Sequence, residues 1–166
     1  LARIPHLHPL GIRTRQPGVL PERVDAGLLA WMRALPWRVV VVLHVNHPNE
    51  IDAQVASAFA ALRDTGATLL NQSVLLAGVN DDAATLVELS RRLHDAGVLP
   101  YYLHLPDAVA GTAHFDVPEA RSRALAAALA RELPGYLVPR LVRAIPGRAA
   151  KTVLAAGLPP PPAPIM

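Results

Sequence analysis

Cysteine does not occur anywhere in the 166 residues of this sequence. Its absence excludes disulfide bonds, thiolate metal sites and cysteine-bound iron–sulfur clusters within the chain. No apolar run approaches the ~18 residues that a membrane-spanning helix needs, and no signal-peptide pattern is present. We therefore expect a cytoplasmic chain that does not enter a membrane.

Aromatic residues are also scarce, at 4% of the sequence, and the formal net charge is only +3. Surfaces that bind nucleic acid combine a stripe of cationic side chains with aromatic rings that stack on bases. Here the arginines are scattered, and no run of five or more basic residues occurs. We expect no nucleic acid among the partners of this chain.

The length and the 52% hydrophobic content suit one globular domain with a sizeable core. Five of the 17 prolines lie between residues 159 and 164, where a proline-rich stretch favours an extended, unpacked chain. We predict a folded unit over residues 1–154 and a disordered tail over 155–166.

Strand and helix patterns alternate along the folded unit, which predicts an α/β fold with a mainly parallel sheet wrapped by helices. Gly66 and Gly97 lie 31 residues apart, each ending a helix just before an apolar strand, as expected of a βαβ repeat. The predicted strands are 12–15, 38–45, 67–71, 99–105 and 136–143, and the helices are 24–34, 51–64, 80–95 and 116–132. Alternation places Tyr102 and His104 on one face of their strand and Tyr101 on the other.

A dense polar loop, His44–Asp52, follows the aliphatic run Val39–Leu43. An apolar run without alternation predicts a strand buried on both faces, and parallel sheets carry their chemistry at the carboxyl ends of such strands. His44 and His47 are either metal ligands or ordinary polar histidines. The second interpretation is favoured because their spacing, on or just after a strand, lacks the helical geometry that places two imidazoles on one face.

The loops after successive strands gather at one edge of a barrel-like sheet. Asp107 is there either a general base or ammonium acceptor, or a turn acid. Arg15 either binds an anion or lies on a solvated rim. The residues expected at this edge are Arg15, His44, His47, Gln72, Asp107 and Lys151.

Lys151 is the sole lysine, beside fifteen arginines. A lysine retained in an arginine-rich chain points to a task that arginine cannot perform. An amine forms a Schiff base, whereas a guanidinium is permanently charged and not nucleophilic. The alternative is a surface lysine without a role.

Six segments resemble, in order, the C-terminal portion of the lysine 2,3-aminomutase family of radical S-adenosylmethionine enzymes. Within that family the resemblance is to the bacterial branch that makes (R)-β-lysine for modification of translation elongation factor P. It extends from Ile4 to about Leu154. The segments are His44–Ile51, Leu70–Leu76, Val79–Asp81, Pro100–Tyr102, Ala113–Phe115 and Gly135–Pro139.

The resemblance implies a partial, TIM-like β/α barrel and an isomerase that moves the amino group of L-lysine from C2 to C3. The implied cofactors are S-adenosylmethionine, a [4Fe–4S] cluster and pyridoxal phosphate, which perform the radical chemistry while the protein orients them. Carried over by motif, Lys151 is similar to the lysine that joins pyridoxal phosphate. By the same resemblance His44 and Gln72 contact S-adenosylmethionine, Asp107 receives the side-chain ammonium of lysine, and Arg15 contacts an anionic cofactor group.

The chain departs from the family in two places. The three-cysteine cluster motif does not occur in it, and Ala144 stands where the family has an acid, seven residues before the pyridoxal lysine. The resemblance therefore implies part of a longer enzyme that is inactive alone. The alternatives are a non-catalytic binding domain derived from the family and a pyridoxal phosphate enzyme without radical chemistry. Because part of a barrel exposes a strand edge, we expect residues 1–166 alone to self-associate, for instance as a homo-oligomer.

Overall fold

Six strands form one sheet in the structure, a computed structural model that describes residues 10–107, 109–145 and 147–154. The strands follow one another across the sheet in chain order; the first five are parallel and the sixth is antiparallel. This confirms the predicted α/β fold, and within the described residues the sheet does not close into a full barrel. The strands are Leu10–Thr14 (β1), Val39–Leu43 (β2), Thr68–Val74 (β3), Leu99–His104 (β4), Arg140–Arg143 (β5) and Thr152–Val153 (β6).

Five helices connect the parallel strands. Three of them begin at an aspartate, since the side chains of Asp25, Asp52 and Asp82 each accept a hydrogen bond from the backbone N–H three residues further on. In the described part of the chain, none of the helices is long and apolar enough to cross a membrane. The helices are Gln16–Val19 (α1), Ala26–Arg33 (α2), Ala53–Arg63 (α3), Ala83–Asp95 (α4) and Glu119–Glu132 (α5).

The apolar core lies between the helices and one face of the sheet. Val41 of β2 packs there in one cluster with the fully buried Phe59 of α3, and Leu103 of β4 packs in a second cluster with Leu129 of α5. Because successive strand residues point to opposite faces, the alternate positions form the other side of the sheet, which we call the inner face. Its register partners include Arg13 with Val42, and Gln72 with Tyr102.

Three sequence predictions were wrong in detail. β3 extends to Val74, so Gln72 lies within the strand instead of after it. The predicted strand 136–143 is shortened to β5, because residues 135–137 form a 3₁₀ turn between Pro134 and Pro139. The predicted loop 145–152 ends in the short strand β6, which pairs with β5. The predicted tail, 155–166, lies outside the described residues, as do residues 1–9.

Tyr101 is on the inner face, contrary to the prediction from simple alternation. Asn71 pairs with Pro100 but Gln72 pairs with Tyr102, so Tyr101 is an extra residue in β4 and forms a β-bulge. The rings of Tyr101 and Tyr102 lie 3.8 Å apart between centroids, and their hydroxyl oxygens are 3.0 Å apart. The bulge therefore brings two neighbouring tyrosines to the same side of the sheet.

Gly66 and Gly97 end α3 and α4 in the left-handed conformation, with φ of +87° and +76°. Gly66→Ala is expected to lower the free energy of unfolding by about 1 kcal/mol, because a Cβ is strained at this φ. Urea denaturation of the intact protein measures the change. Gly135→Ala is the matched control, since Gly135 lies outside the left-handed region and an added Cβ meets nothing within 4 Å. If Gly66→Ala and Gly135→Ala lowered the free energy of unfolding equally, the loss at Gly66 would not come from its left-handed conformation.

Candidate active site on the inner face

Lys151 lies against the inner face of β4. Its Nζ is 2.9 Å from Nε2 of His104 and 4.9 Å from the ring centroid of Tyr102. The Tyr102 and His104 rings meet edge to face, with centroids 5.6 Å apart. Lys151 directly precedes β6, whose pairing with β5 brings the lysine alongside this part of the sheet. The amine is thus held between a hydrogen-bond acceptor and an aromatic face.

Burial, together with nearby cations, lowers the pKa values of both His104 and Lys151. Burial, followed by the nearby Lys151 amine, lowers the pKa of His104 to about 4. Burial, followed by the Arg13 guanidinium, lowers the pKa of Lys151, whereas Tyr102 and Asp107 act in the opposite direction. Near neutral pH the imidazole is therefore uncharged, and the amine loses its proton more readily than an exposed lysine does.

His44 follows β2 and presents a buried polar atom without a partner. Its Nε2 has no hydrogen-bond partner among the described residues. Burial and then the charge of Arg15 lower the pKa of His44, while Asn46 and Glu50 raise it. Unpaired buried polar atoms are rare in folded proteins because each costs free energy. The orphaned nitrogen therefore fits a site that receives a polar ligand.

Three asparagines of the sequence motifs hold the loop after β2 against the end of β3. Asn71 exchanges two hydrogen bonds of 2.9 Å with the backbone of Val45. The side chain of Asn46 accepts from the backbone N–H of Val74 at 2.8 Å. Asn80 donates to the carbonyl oxygens of Asn46 and Val74, at 2.7 and 2.9 Å. These motif residues therefore fix the backbone that carries His44.

His47 has a capping role in the structure. Its Nδ1 accepts from the backbone N–H of Asn49 at 3.1 Å, and Glu50 completes the capping box by accepting from the backbone N–H of His47 at 2.8 Å. The other oxygen of Glu50 lies 3.9 Å from the guanidinium of Arg15. The described residues contain no group of three or more histidine, aspartate or glutamate side chains arranged for a metal.

The expected edge residues are only partly brought together. Asp107 and His44 both act electrostatically on His104, which is itself in contact with Lys151. Gln72 lies on the inner face opposite Tyr102. Arg15 is on the rim, with its side chain 59% exposed and close to Glu50. His47 is turned into its cap and contributes no free nitrogen on the Nδ1 side.

Sequence reasoning assigned no role to His104 or Tyr101, and it considered Arg13 only as a strand-end arginine that could hold an anion. His104 ends β4, and its alternation with Tyr102 was the available signal for an inner-face position. The electrostatic effect of Arg13 on Lys151 depends on how the sheet brings β1 near the segment before β6, and sequence spacing does not report that. The position of Tyr101 on the inner face depends on the β-bulge in β4, which its sequence does not reveal.

The parallel sheet with its polar residues at the carboxyl ends of the strands defines an α/β protein of the partial β/α barrel class. A solved structure supports this: the radical SAM methyltransferase from Sphaerobacter thermophilus matches 70% of this chain and 37% of its own chain, with a TM-score of 0.50. At 19% identity this likeness concerns the fold alone.

The chain is homologous to L-lysine 2,3-aminomutases over nearly all of its length. It is 47% identical to L-lysine 2,3-aminomutase of Escherichia coli K12 over 154 residues, which cover 93% of this chain and 45% of that protein. It is 46% identical to the protein of that name in Haemophilus influenzae, again over 93% of this chain and 46% of the relative. The Clostridium subterminale protein is 38% identical over 92% of this chain and 36% of its own length.

These similarities confirm the family resemblance found in the sequence. The chain spans less than half the length of these curated relatives. No family model matches the chain.

Proposed function

We propose that this chain forms part of a radical SAM, pyridoxal phosphate-dependent L-lysine 2,3-aminomutase, an isomerase that converts L-lysine to β-lysine. The placement of Lys151 is the observation that carries the proposal, since the sole lysine of a chain homologous to these enzymes lies against His104 on the inner face. Because this chain has no cysteine, thiolate ligands for a [4Fe–4S] cluster must come from residues beyond it. Alone, the chain is expected to be inactive.

The residues of the inner face fit two of the implied cofactors. Lys151 would hold pyridoxal phosphate through its amine, whose lowered pKa favours the nucleophilic form. His44 and Gln72 would contact S-adenosylmethionine, and the unpartnered Nε2 of His44 supports a polar ligand there. Arg15 would receive an anionic group of a cofactor, in competition with its ion pair to Glu50. When bound, these cofactors supply radical generation and stabilisation.

The substrate assignment depends on Asp107. An exposed carboxylate beside Lys151 suits the side-chain ammonium of free lysine, because opposite charges attract at this range. Ala144 offers no second carboxylate, so Asp107 would bind that ammonium without the help of an acid at this position. The protein's own groups thus orient the substrate, while the cofactors perform the rearrangement.

We further propose that the β-lysine serves to modify translation elongation factor P in the cytoplasm. The motif resemblance to that branch supports this step. Deletion of the gene should leave elongation factor P lighter by the mass of the β-lysyl group in intact-protein mass spectrometry. An unchanged mass would contradict the role in modifying elongation factor P without bearing on the aminomutase activity itself.

A non-catalytic binding domain is the second candidate, and the absence of cysteine from all 166 residues favours it. The two functions differ in the fate of Lys151. We expect pyridoxal phosphate to give a visible absorbance band with the intact protein, and borohydride reduction followed by peptide mapping to place the adduct on Lys151. A folded protein without such an adduct would favour the binding domain.

A further inference from the structure

His104 has no role in the function proposed above, yet it makes the hydrogen bond that holds Lys151. The Nζ to Nε2 distance of 2.9 Å is a full hydrogen bond, and the imidazole is half-buried at the end of β4. The ammonium form of Lys151 has no lone pair and donates only, so beside it Nε2 is the acceptor and the neutral ring carries its proton on Nδ1. The imidazole also meets the Tyr102 ring edge to face, with centroids 5.6 Å apart.

We propose that His104 is the positioning residue of Lys151, because its Nε2 accepts a hydrogen bond from Nζ and turns the amine lone pair toward an aldehyde carbon bound on the inner face. This inference rests on the proposed function, since it assigns His104 to the same Schiff-base site. A neutral amine has two N–H bonds and one lone pair. When one N–H is directed at Nε2, the lone pair points away from the imidazole.

The chemistry balances without any further reactant. The Lys151 ammonium releases one proton to solvent, and the Nζ lone pair then forms a bond to the carbonyl carbon. The carbonyl oxygen leaves as water, so one ammonium and one aldehyde give one C=N bond, one water and one proton. His104 takes no net proton in this sequence, in keeping with its low pKa of about 4.

The charged and titratable groups that face this pair come from several elements. They are Arg13 of β1, His44 after β2, Tyr102 of β4 and Asp107 after β4. An acceptor at position 104 stabilises the ammonium form of Lys151, so its removal should lower the pKa of Lys151 further. Loss of positioning and loss of this stabilisation therefore have separate signatures: a lower limiting rate at high pH, and a lower pH midpoint.

The test compares His104→Phe with His104→Gln in the intact protein. The rate of adduct formation with pyridoxal phosphate is followed by absorbance from pH 6 to 10 and the product is trapped with borohydride. We expect His104→Phe to lower the limiting rate about tenfold and to move the midpoint to lower pH, since small misplacements of a reacting atom carry large rate costs. His104→Gln retains an acceptor, so its limiting rate should stay within about twofold of the parent's and its pH midpoint should stay close to the parent's. His94→Phe, at a histidine exposed on α4, is the control.

Each outcome decides the matter. A parent protein that forms no adduct at Lys151 overturns the proposed function and this inference together. If the parent reacts and His104→Phe matches it in rate and midpoint, the inference alone is wrong. Failure of His104→Gln to the same extent as His104→Phe would overturn the acceptor role. If circular dichroism shows that His104→Phe is unfolded, His104→Ala takes its place in the comparison.

Discussion

Under the proposed function, replacing Lys151 by arginine is expected to slow the formation of β-lysine by the intact, cofactor-loaded protein roughly a thousandfold or more. Arginine keeps the positive charge and much of the length of the side chain, but its guanidinium does not form a Schiff base near neutral pH. The cation can still lie over the Tyr102 ring, so the fold should change little. Product is measured by mass spectrometry after a fixed time with L-lysine.

The neighbouring Arg148 provides a matched control, because it is exposed in the same segment before β6. Arg148→Lys should retain parental activity, and the double variant Lys151→Arg with Arg148→Lys should remain inactive. Activity in the double variant would mean that any amine in this segment suffices. Full activity of Lys151→Arg by itself would exclude Lys151 as the pyridoxal phosphate lysine.

The sequence predicted the order and type of the main elements because each depends on local pattern. The run Val39–Leu43 has no polar residue to lie at a surface, and aspartates at positions 52 and 82 supply helix caps that are recognisable from the sequence. Gly66 and Gly97 mark the repeat because only glycine adopts their φ at low cost. These local signals survive in the fold with shifts of a few residues at the ends.

The site was less predictable because its members meet only through the sheet. A single extra residue at Tyr101 reverses the face of that side chain, and its sequence, Pro100-Tyr101-Tyr102, reads as plain alternation. The contact between His104 and Lys151 joins residues 47 positions apart and depends on β6. Because β6 has only two residues, its sequence pattern is too short to predict a strand. The polar motif around His44 predicted a chemical site, whereas several of its side chains form hydrogen bonds that support the backbone.

Asn80 should be the most costly of these supporting residues to remove. Its side chain has no exposed surface, and its oxygen accepts from the backbone N–H of Leu76 at 2.7 Å while its nitrogen donates to the carbonyls of Asn46 and Val74. Asn80→Ala leaves three backbone groups without their partner in a buried setting. We expect the free energy of unfolding to fall by about 3 kcal/mol, measured by urea denaturation of the intact protein.

The same substitution should also impair the cofactor contact proposed for His44, because the carbonyl of Asn46 that Asn80 holds lies two residues further along the chain. Asn49→Ala is the matched control: Asn49 is an exposed asparagine of the same loop, and its substitution should change stability by less than about 0.5 kcal/mol. Asn80→Asp tests the direction of the bonds, since a carboxylate keeps the acceptor for Leu76 but donates to neither carbonyl. If Asn80→Asp were as stable as the parent, the two donated bonds would not contribute, and the loop after β2 would owe its position to its other hydrogen bonds, among them those of Asn46, Asn71 and Ser73.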